Sequence, residues 1–527
     1  MPELNSIIAP LIAWVANNIH WILIALFVFA ISMGTVAYLI LLERKIAAWT
    51  QDRIGPNRTG LGFGIIPILK DMKMFGLGQS FADGLKMFTK EDYRPKNTDR
   101  ALFTLAPMLM MGVVLVSIAV IPWGGVVGNR QTKDITAHVQ AGKTATQAVV
   151  DQVPGSRRVE GAIDVYVAPA MPEGKTQPTA IYEADGTLVA GSAVAPAAGD
   201  HVFASYVEGW RFQVAPLNIG VLFVVATLSL AVYGVVVGGY ASNNKYSFLG
   251  GLRATANMIS YEIPLGLSIL CIVVMFGTLD LGEIVSQQTK TLIGVNGIGL
   301  PAWNVFTQPL AFVLFLICIH AEANRAPFDT AEAEQELVGG YHTEYSSMRF
   351  GMFYLAEYAG MITTSAVCVA LFFGGWHLPG IATLSEKLFG AVHDANNPWL
   401  TSSVIEGILR AAIFFTKTIA IVAIFMWTRW SLPRFRFDQI MNLAWKMLIP
   451  VSLGLLVSTA AGVFVIYRMG GRTTNGISLR EGLLFLAINV AVVAVTLVVG
   501  KLLPTGMEGV NRKIAVPNSR YAPRATA

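Results

Sequence analysis

Nine long apolar runs constrain this chain more than any other feature. Trp21–Leu42 holds no charged side chain across 22 residues, and Ala101–Ile121 holds none across 21. Seven more follow at Val214–Gly239, Ile263–Leu279, Val305–Ile319, Phe350–Phe373, Ile408–Trp427, Met447–Tyr467 and Gly482–Gly500. A run of about twenty apolar residues is the length at which a helix crosses the hydrocarbon of a bilayer. A helix also satisfies its own backbone polar groups there. Composition agrees: only 13% of the 527 residues are charged, where a soluble domain carries roughly a quarter. The expected fold is an all-α polytopic membrane protein of about nine transmembrane helices. The first run is not a cleaved signal, because no Lys or Arg precedes Arg44 and the run exceeds an h-region.

Basic residues in the short loops set the orientation. With the N-terminus outside, the inside segments hold 24 Lys and Arg, 11 of them at 43–100, and the short outside segments hold 5. The expected arrangement is N-terminus outside and C-terminus cytoplasmic, in the inner membrane. The chain then divides into 1–123 with two helices and a cytoplasmic loop, an external insertion at 124–213, seven helices at 214–500 with an acidic cytoplasmic loop at 320–350, and a tail at 501–527.

Several chemistries are excluded by what is missing. Cys271, Cys318 and Cys368 each sit inside an apolar run, and none pairs at C-x-x-C spacing. No iron–sulfur cluster or zinc ribbon is expected from them; they read as small packing residues. The seven histidines are scattered singly, and there is neither a phosphate loop nor a G-x-G-x-x-G turn. No catalytic or metal-ligating residues are assigned. If the chain takes part in redox chemistry, partners carry the electrons.

Three inside segments are too polar to be mere connectors. The first opens with Glu43-Arg44-Lys45 and runs through Gln51-Asp52-Arg53 to the Gly55-Pro56-Asn57 turn. Beyond it, Ile65, Ile68, Leu69, Met72 and Phe75, then Leu77, Phe81, Leu85 and Phe88, recur at helical spacing. Both sets predict amphipathic helices lying in the membrane interface; simple anchoring at anionic headgroups would explain them equally. The second segment, Tyr240–Glu262, ends with Glu262 where a helix enters the membrane. The third, Glu322–Glu357, breaks the positive trend with Glu322, Asp329, Glu332, Glu334, Glu336, Glu344 and Glu357. On a helix beginning after Pro327, Asp329, Glu332 and Glu336 share one face, with Asp329 and Glu332 as a capping box. Capping leaves Glu334, Glu336 and the embedded Glu357 unexplained. Ionisable groups in membrane helices usually face a polar cavity. Arg410 and Lys417, seven residues apart on the seventh apolar run, are candidate partners for these acids, or a simple ion pair or snorkelling pair.

At these residues a resemblance becomes specific. The strings ERKIAAWTQDRIGPNRTG, ADGLKMFTKED, ASNNKYSFLGGLRATANMISYEIP, EANRAPFDTAEAEQELVGGYHTEYSSMRFGMFYLAEY and LPRFRFDQIMNLAWKMLIP resemble the H subunit of NADH–quinone oxidoreductase, the respiratory complex I family that includes mitochondrial NADH dehydrogenase subunit 1. They occur in the family's order. The resemblance implies a subunit between a peripheral electron-carrying arm and a proton-pumping membrane arm, embedded in lipid. It implies a quinone substrate, ubiquinone or menaquinone, with iron–sulfur clusters and FMN held only in partner subunits, and no nucleic acid. It also implies quinone-chamber roles for Glu43, Arg44, Gln51 and Arg53. Proton coupling would fall to Glu262, Glu322, Asp329, Glu332, Glu334, Glu336 and Glu357, with Arg410 and Lys417 beside them. Two other classes share parts of the pattern. A secondary transporter would show inverted repeats, which are not evident. The membrane subunit of an energy-converting hydrogenase shares the E-R-K and G-P-N strings but uses no quinone.

Two stretches depart from the family. The segment between Gly60 and Gln79 is longer than usual, and Gly124–Gln213 replaces a short loop. The latter carries 7 basic and 9 acidic side chains. Ala162–Ala168 reads as a strand, and Tyr182–Val189 places Asp185-Gly186 as a hairpin turn. A small β-containing extramembrane module is expected there.

Overall fold

The structure is a computed structural model describing residues 2–60, 74–134, 136, 158–168, 180–182, 188–191, 201–289, 291–295, 298–330, 338–381, 400–401, 404–468 and 478–502. Its framework is α1 (Pro2–Thr50), α2 (Gln79–Thr89), α3 (Arg100–Val120), α4 (Gly220–Ala241), α5 (Lys245–Phe276), α6 (Leu281–Gln287), α7 (Pro309–Glu322), α8 (Ser347–Phe372), α9 (Val404–Ser431), α10 (Phe437–Leu443), α11 (Ile449–Arg468) and α12 (Leu479–Leu502). Eight of the described helices are long and apolar enough to cross a membrane, counting α10 and α11 as one span, and α7 is a shorter apolar helix. These correspond to the nine apolar runs. The chain alternates in direction, so the ends of α1, α4, α7 and α9 meet at one face with the starts of α3, α5, α8 and α10.

Capping side chains set several ends. Asp99 accepts from Ala101 N at 2.8 Å before α3, and Asn244 accepts from Tyr246 N at 3.0 Å before α5. Each satisfies an orphan backbone donor. Gly277 ends α5 at φ 75°, the left-handed position that glycine fills without strain. Between α10 and α11 a short π-helical turn, Ala444–Leu448, widens the helix, and Trp445 Nε1 there reaches Ser260 Oγ at 3.3 Å.

The innermost helix is α8, with every residue from Ala356 to Phe372 buried except Gly360. In lipid no hydrophobic gain separates helix from tail, so close packing through small residues holds helices together. On α8 that role falls to Ala356, Ala359, Ser365, Ala366, Cys368 and Ala370. The opposite extreme is α2, none of whose residues is buried.

At the opposite face the chain builds a sheet from β1 (Val126–Asp134), β2 (Arg158–Ala168), β3 (Ala180–Tyr182), β4 (Leu188–Gly191), β5 (His201–Arg211) and, from the connection before α9, a two-residue strand Leu400–Thr401. The spatial order is β4-β3-β2-β5-β1, closed by that last strand. The expected hairpin appears as β3 against β4, with Tyr182 opposite Leu188; its turn lies outside the described residues. The sheet is rooted in the helices. Arg211 donates to Asp280 at 2.6 Å, Gln213 Nε2 donates to Val120 O at 2.5 Å, and Trp123 stacks on Phe415 of α9 at 4.3 Å.

Two expectations fall largely outside the described residues. Of the first amphipathic set, Ile65, Ile68, Leu69 and Met72 lie outside the described residues, as do Glu332, Glu334 and Glu336, while Phe75 is exposed at φ 55° in a short 3-10 turn and not in an α-helix. The helix expected after Pro327 falls on residues 331–337, outside the described residues; residues 328–330, which lead into it, are irregular. Asp329 pairs there with Arg434; its expected capping partner Glu332 lies outside the described residues.

Candidate functional site

The buried face of α1 runs through Val28, Ser32, Val36, Leu39, Glu43 and Ala47, a stripe at helical spacing. Glu43 therefore points into the bundle, directly after the apolar run. Its Oε1 lies 2.5 Å from Arg429 Nη1 in the last turn of α9 and 3.7 Å from Arg325 Nη1. Its Oε2 accepts from the Tyr358 hydroxyl of α8. Arg325 lies 4.4 Å over the Tyr358 ring and 3.6 Å, through Nη2, from Glu357 Oε2. Glu357 Oε1 accepts from the Tyr341 hydroxyl at 2.7 Å. The Arg325 and Glu357 side chains are each 6% exposed.

Two carboxylates and two guanidiniums are thus drawn into one enclosed cluster from α1, α8, α9 and the segment after α7. Ions removed from water must be compensated, and breaking such a pair typically costs about 3–5 kcal/mol. The cluster is balanced when both carboxyls are ionised. Adding a proton, or bringing a charge near, leaves one member uncompensated. The arrangement can therefore hold, pass on or respond to a proton.

The segment carrying Arg325 is pinned on two sides. Asn257 Nδ2 of α5 donates to Ala321 O at 3.2 Å and Phe328 O at 3.4 Å. Asp329 Oδ2 accepts from Arg434 at 2.8 Å, and Phe435 N donates to Pro327 O at 3.1 Å. Asp329 also interacts electrostatically with Glu357. A second acid pair lies at the same face: Glu262 accepts from the Ser229 hydroxyl, and Glu322 is within electrostatic reach of Glu262.

The quartet Glu43, Arg44, Gln51 and Arg53 is divided. Glu43 joins the acids, whereas Arg44 pairs with Asp83 of α2 at 2.8 Å and Gln51 and Arg53 are exposed. Next to them an open pocket of about 550 Å³ is lined by Ile54–Thr59 and Gln79. Among the described residues, Arg410 and Lys417 are not paired with these acids. Arg410 pairs with Glu406 at 2.5 Å on its own helix, and Lys417 binds backbone carbonyls beyond the far end of α8. Both lie in the first half of α9, while Arg429, in its last turn, is the α9 residue at the cluster. Arg429, Arg434, Tyr341 and Tyr358 were not singled out from sequence. The two arginines read as ordinary positive loop residues. The stripe on α1 that passes through Glu43 was the signal that a buried partner was required.

This is a polytopic helical membrane protein with an enclosed, tyrosine-bridged charge cluster at one face. The chain belongs to the NADH dehydrogenase family, whose sequence profile matches residues 22–150 and 175–460. It is 37% identical over 438 residues to the H 1 subunit of NADH-quinone oxidoreductase from Cytophaga hutchinsonii, covering 83% of this chain and 95% of that protein. It is 36% identical over 434 residues to the H subunit of NADH-quinone oxidoreductase from Flavobacterium johnsoniae, covering 82% and 92%. The corresponding H subunit of Leptospira biflexa is 35% identical over 449 residues, covering 85% and 95%.

Proposed function

We propose that this chain is the membrane subunit of a proton-translocating NADH–quinone oxidoreductase, forming the membrane side of the quinone chamber and coupling quinone reduction to proton movement. The observation that carries the reading is the enclosed Glu43–Arg325–Glu357–Arg429 cluster, in a chain whose relatives are named for that enzyme. Those names also favour the quinone enzyme over a hydrogenase anchor or a transporter. Its partners are other subunits of the complex, quinone and lipid. Gln51, Arg53 and the Ile54–Thr59 pocket form the entrance, with Arg44 holding α2 beside it. Reduction of a quinone headgroup near the cluster changes the local charge, and the carboxyls respond by exchanging a proton. Glu262, Glu322 and Asp329, with Glu332, Glu334 and Glu336, extend the path. FMN and the iron–sulfur clusters sit in partner subunits.

Glu357→Gln keeps the shape but cannot exchange a proton. A positioned proton-transfer group contributes on the order of 100-fold or more. Quinone-dependent NADH oxidation coupled to pumping should fall steeply in the assembled variant, while NADH oxidation by ferricyanide persists. Normal pumping by that variant would sink the assignment. The proposed orientation places the cluster face in the cytoplasm. A reporter after Ala527 should then be cytoplasmic and one near Gly186 external, and the opposite result at both sites refutes it.

A further inference from the structure

An α-helix leaves its last four carbonyls without intrahelical partners, and inside a membrane water cannot supply them. At the sheet-side end of α8 three of the four have partners. Val369 O accepts from Phe373 N at 3.1 Å and Gly375 N at 2.9 Å. Ala370 O accepts from Gln288 Nε2 at 2.9 Å, and Leu371 O accepts from Asn304 Nδ2 at 2.6 Å. Lys417 binds the turn that follows. Its Nζ donates to Phe373 O at 2.8 Å, Gly375 O at 2.9 Å and His377 O at 2.6 Å, which uses all three ammonium protons.

The carbonyl cage is shaped for a cation. Gly374 and Gly375 lie at φ 64° and 51°, a left-handed pair that turns the three carbonyls toward one point. A Cβ on Gly374 would sit 2.4 Å from Trp303 Nε1, and the Trp303 ring lies 4.4 Å beneath the ammonium. No carboxylate among the described residues pairs with Lys417. Its acceptors are backbone dipoles at a helix C-terminus, where positive charge is favoured. It is therefore a capping cation rather than the partner of a buried acid.

The capped helix is the one carrying Glu357 and Tyr358. At 1.5 Å per residue, Glu357 stands about 22 Å from Phe372 along α8, and the helix between them is almost wholly enclosed. A rod packed on all sides and held at one end by Gln288, Asn304 and Lys417 delivers its other end at a fixed depth and rotation. We propose that Lys417 is a positioning residue: through α8 it sets where Glu357 and Tyr358 meet Arg325 and Glu43. Its effect on turnover rests on the role of Glu357 given above; its effect on the helix end does not.

Two variants, Lys417→Ala and Asn304→Leu, distinguish a cap from a proton carrier, because Asn304 cannot carry a proton. In the complete complex, two quantities are read: amide hydrogen exchange over residues 369–377, and quinone-dependent NADH oxidation per assembled complex. Both variants should raise the local exchange and lower turnover several-fold. Methylammonium, which fits the vacated ammonium position, should restore both quantities in Lys417→Ala and neither in Asn304→Leu. Raised exchange with unchanged turnover overturns the positioning role. Lost turnover in Lys417→Ala with normal behaviour of Asn304→Leu also overturns it, in favour of a proton carrier. If Lys417→Ala does not assemble, Gln288→Leu removes a neutral cap at the same end and carries the same two readouts. Glu357→Gln should leave exchange at 369–377 unchanged, so a failure of the coupling assignment is separable from a failure of the cap.

Discussion

At the residue scale the two membrane faces hold their ionisable groups in different ways. The Glu43–Arg325–Glu357–Arg429 cluster balances charge against charge. The far end of α8 instead keeps a neutral imidazole between cations. Burial, then Lys417 and Arg410, lower the His377 pKa from the ordinary 6.5 to about 4. Its Nδ1 is buried with no partner among the described residues. The sign follows from linkage: a base with a depressed folded pKa binds its proton first in the unfolded chain. Its contribution is full above pH 6.5 and is lost as the pH falls toward about 4. His377→Gln should flatten that part of the profile, measured as the heat-inactivation midpoint of the assembled complex. An unchanged acid slope would show that another group sets it. Little of this was legible in advance. Glu357 stood out because a carboxylate in an apolar run needs a reason. Arg325, Arg429 and Tyr358 did not, because their partners lie on other elements and leave no periodic mark.

At the scale of elements, periodicity was readable wherever one helix face decides the fold. The second amphipathic pattern appears as α2, with Phe81, Leu85 and Phe88 exposed. Arg44 holds α2 through Asp83, and Ser347 Oγ donates to Met87 O at 3.0 Å. Polar contacts thus fix one side of α2, and the apolar side is left for the membrane interface. Replacing Phe81, Leu85 and Phe88 with serine should raise the KM for a long-chain quinone several-fold and leave kcat near normal. A short, water-soluble quinone should be unaffected, because it does not arrive through the bilayer. Equal loss with both quinones would mean that α2 is needed for folding instead. The stretch after Pro327 shows where such reading stops. Residues 328–330 are irregular because the segment is arranged by non-local partners, with Asp329 on Arg434 and Phe328 O on Asn257. The spacing of the acids carried no information about those partners.

At the scale of the whole molecule the chain places its charge cluster and its sheet at opposite faces, and the two are separable. The insertion lacks cysteine, so no disulfide holds it, and a module this small is marginal alone. Its support is visible at its base. Gly124 N donates to Phe212 O at 3.3 Å, Phe212 N donates to Gly125 O at 3.1 Å, and Arg211 pairs with Asp280. The strand Leu400–Thr401 adds parallel pairing to Val126 and Val127. Residues Asn129 and Glu208 are direct partners in the β1–β5 ladder, so their Cα atoms lie about 4.5–5.5 Å apart. A short Gly/Ser linker replacing Asn129–Glu208 therefore closes as a hairpin on Val126–Gly128 and Gly209–Arg211. Every contact at the base is kept, and the sheet beyond it is removed. If the sheet serves assembly or contact with a neighbouring subunit, the yield or thermal stability of the complex should fall. Quinone turnover per assembled complex should be nearly unchanged, because Glu43, Arg325 and Glu357 sit across the membrane from the cut. Activity and assembly are measured on the same preparation, with intact complex quantified by native electrophoresis. A large loss of quinone turnover in complexes that remain intact would refute the scaffold role and tie the sheet to the coupling chemistry.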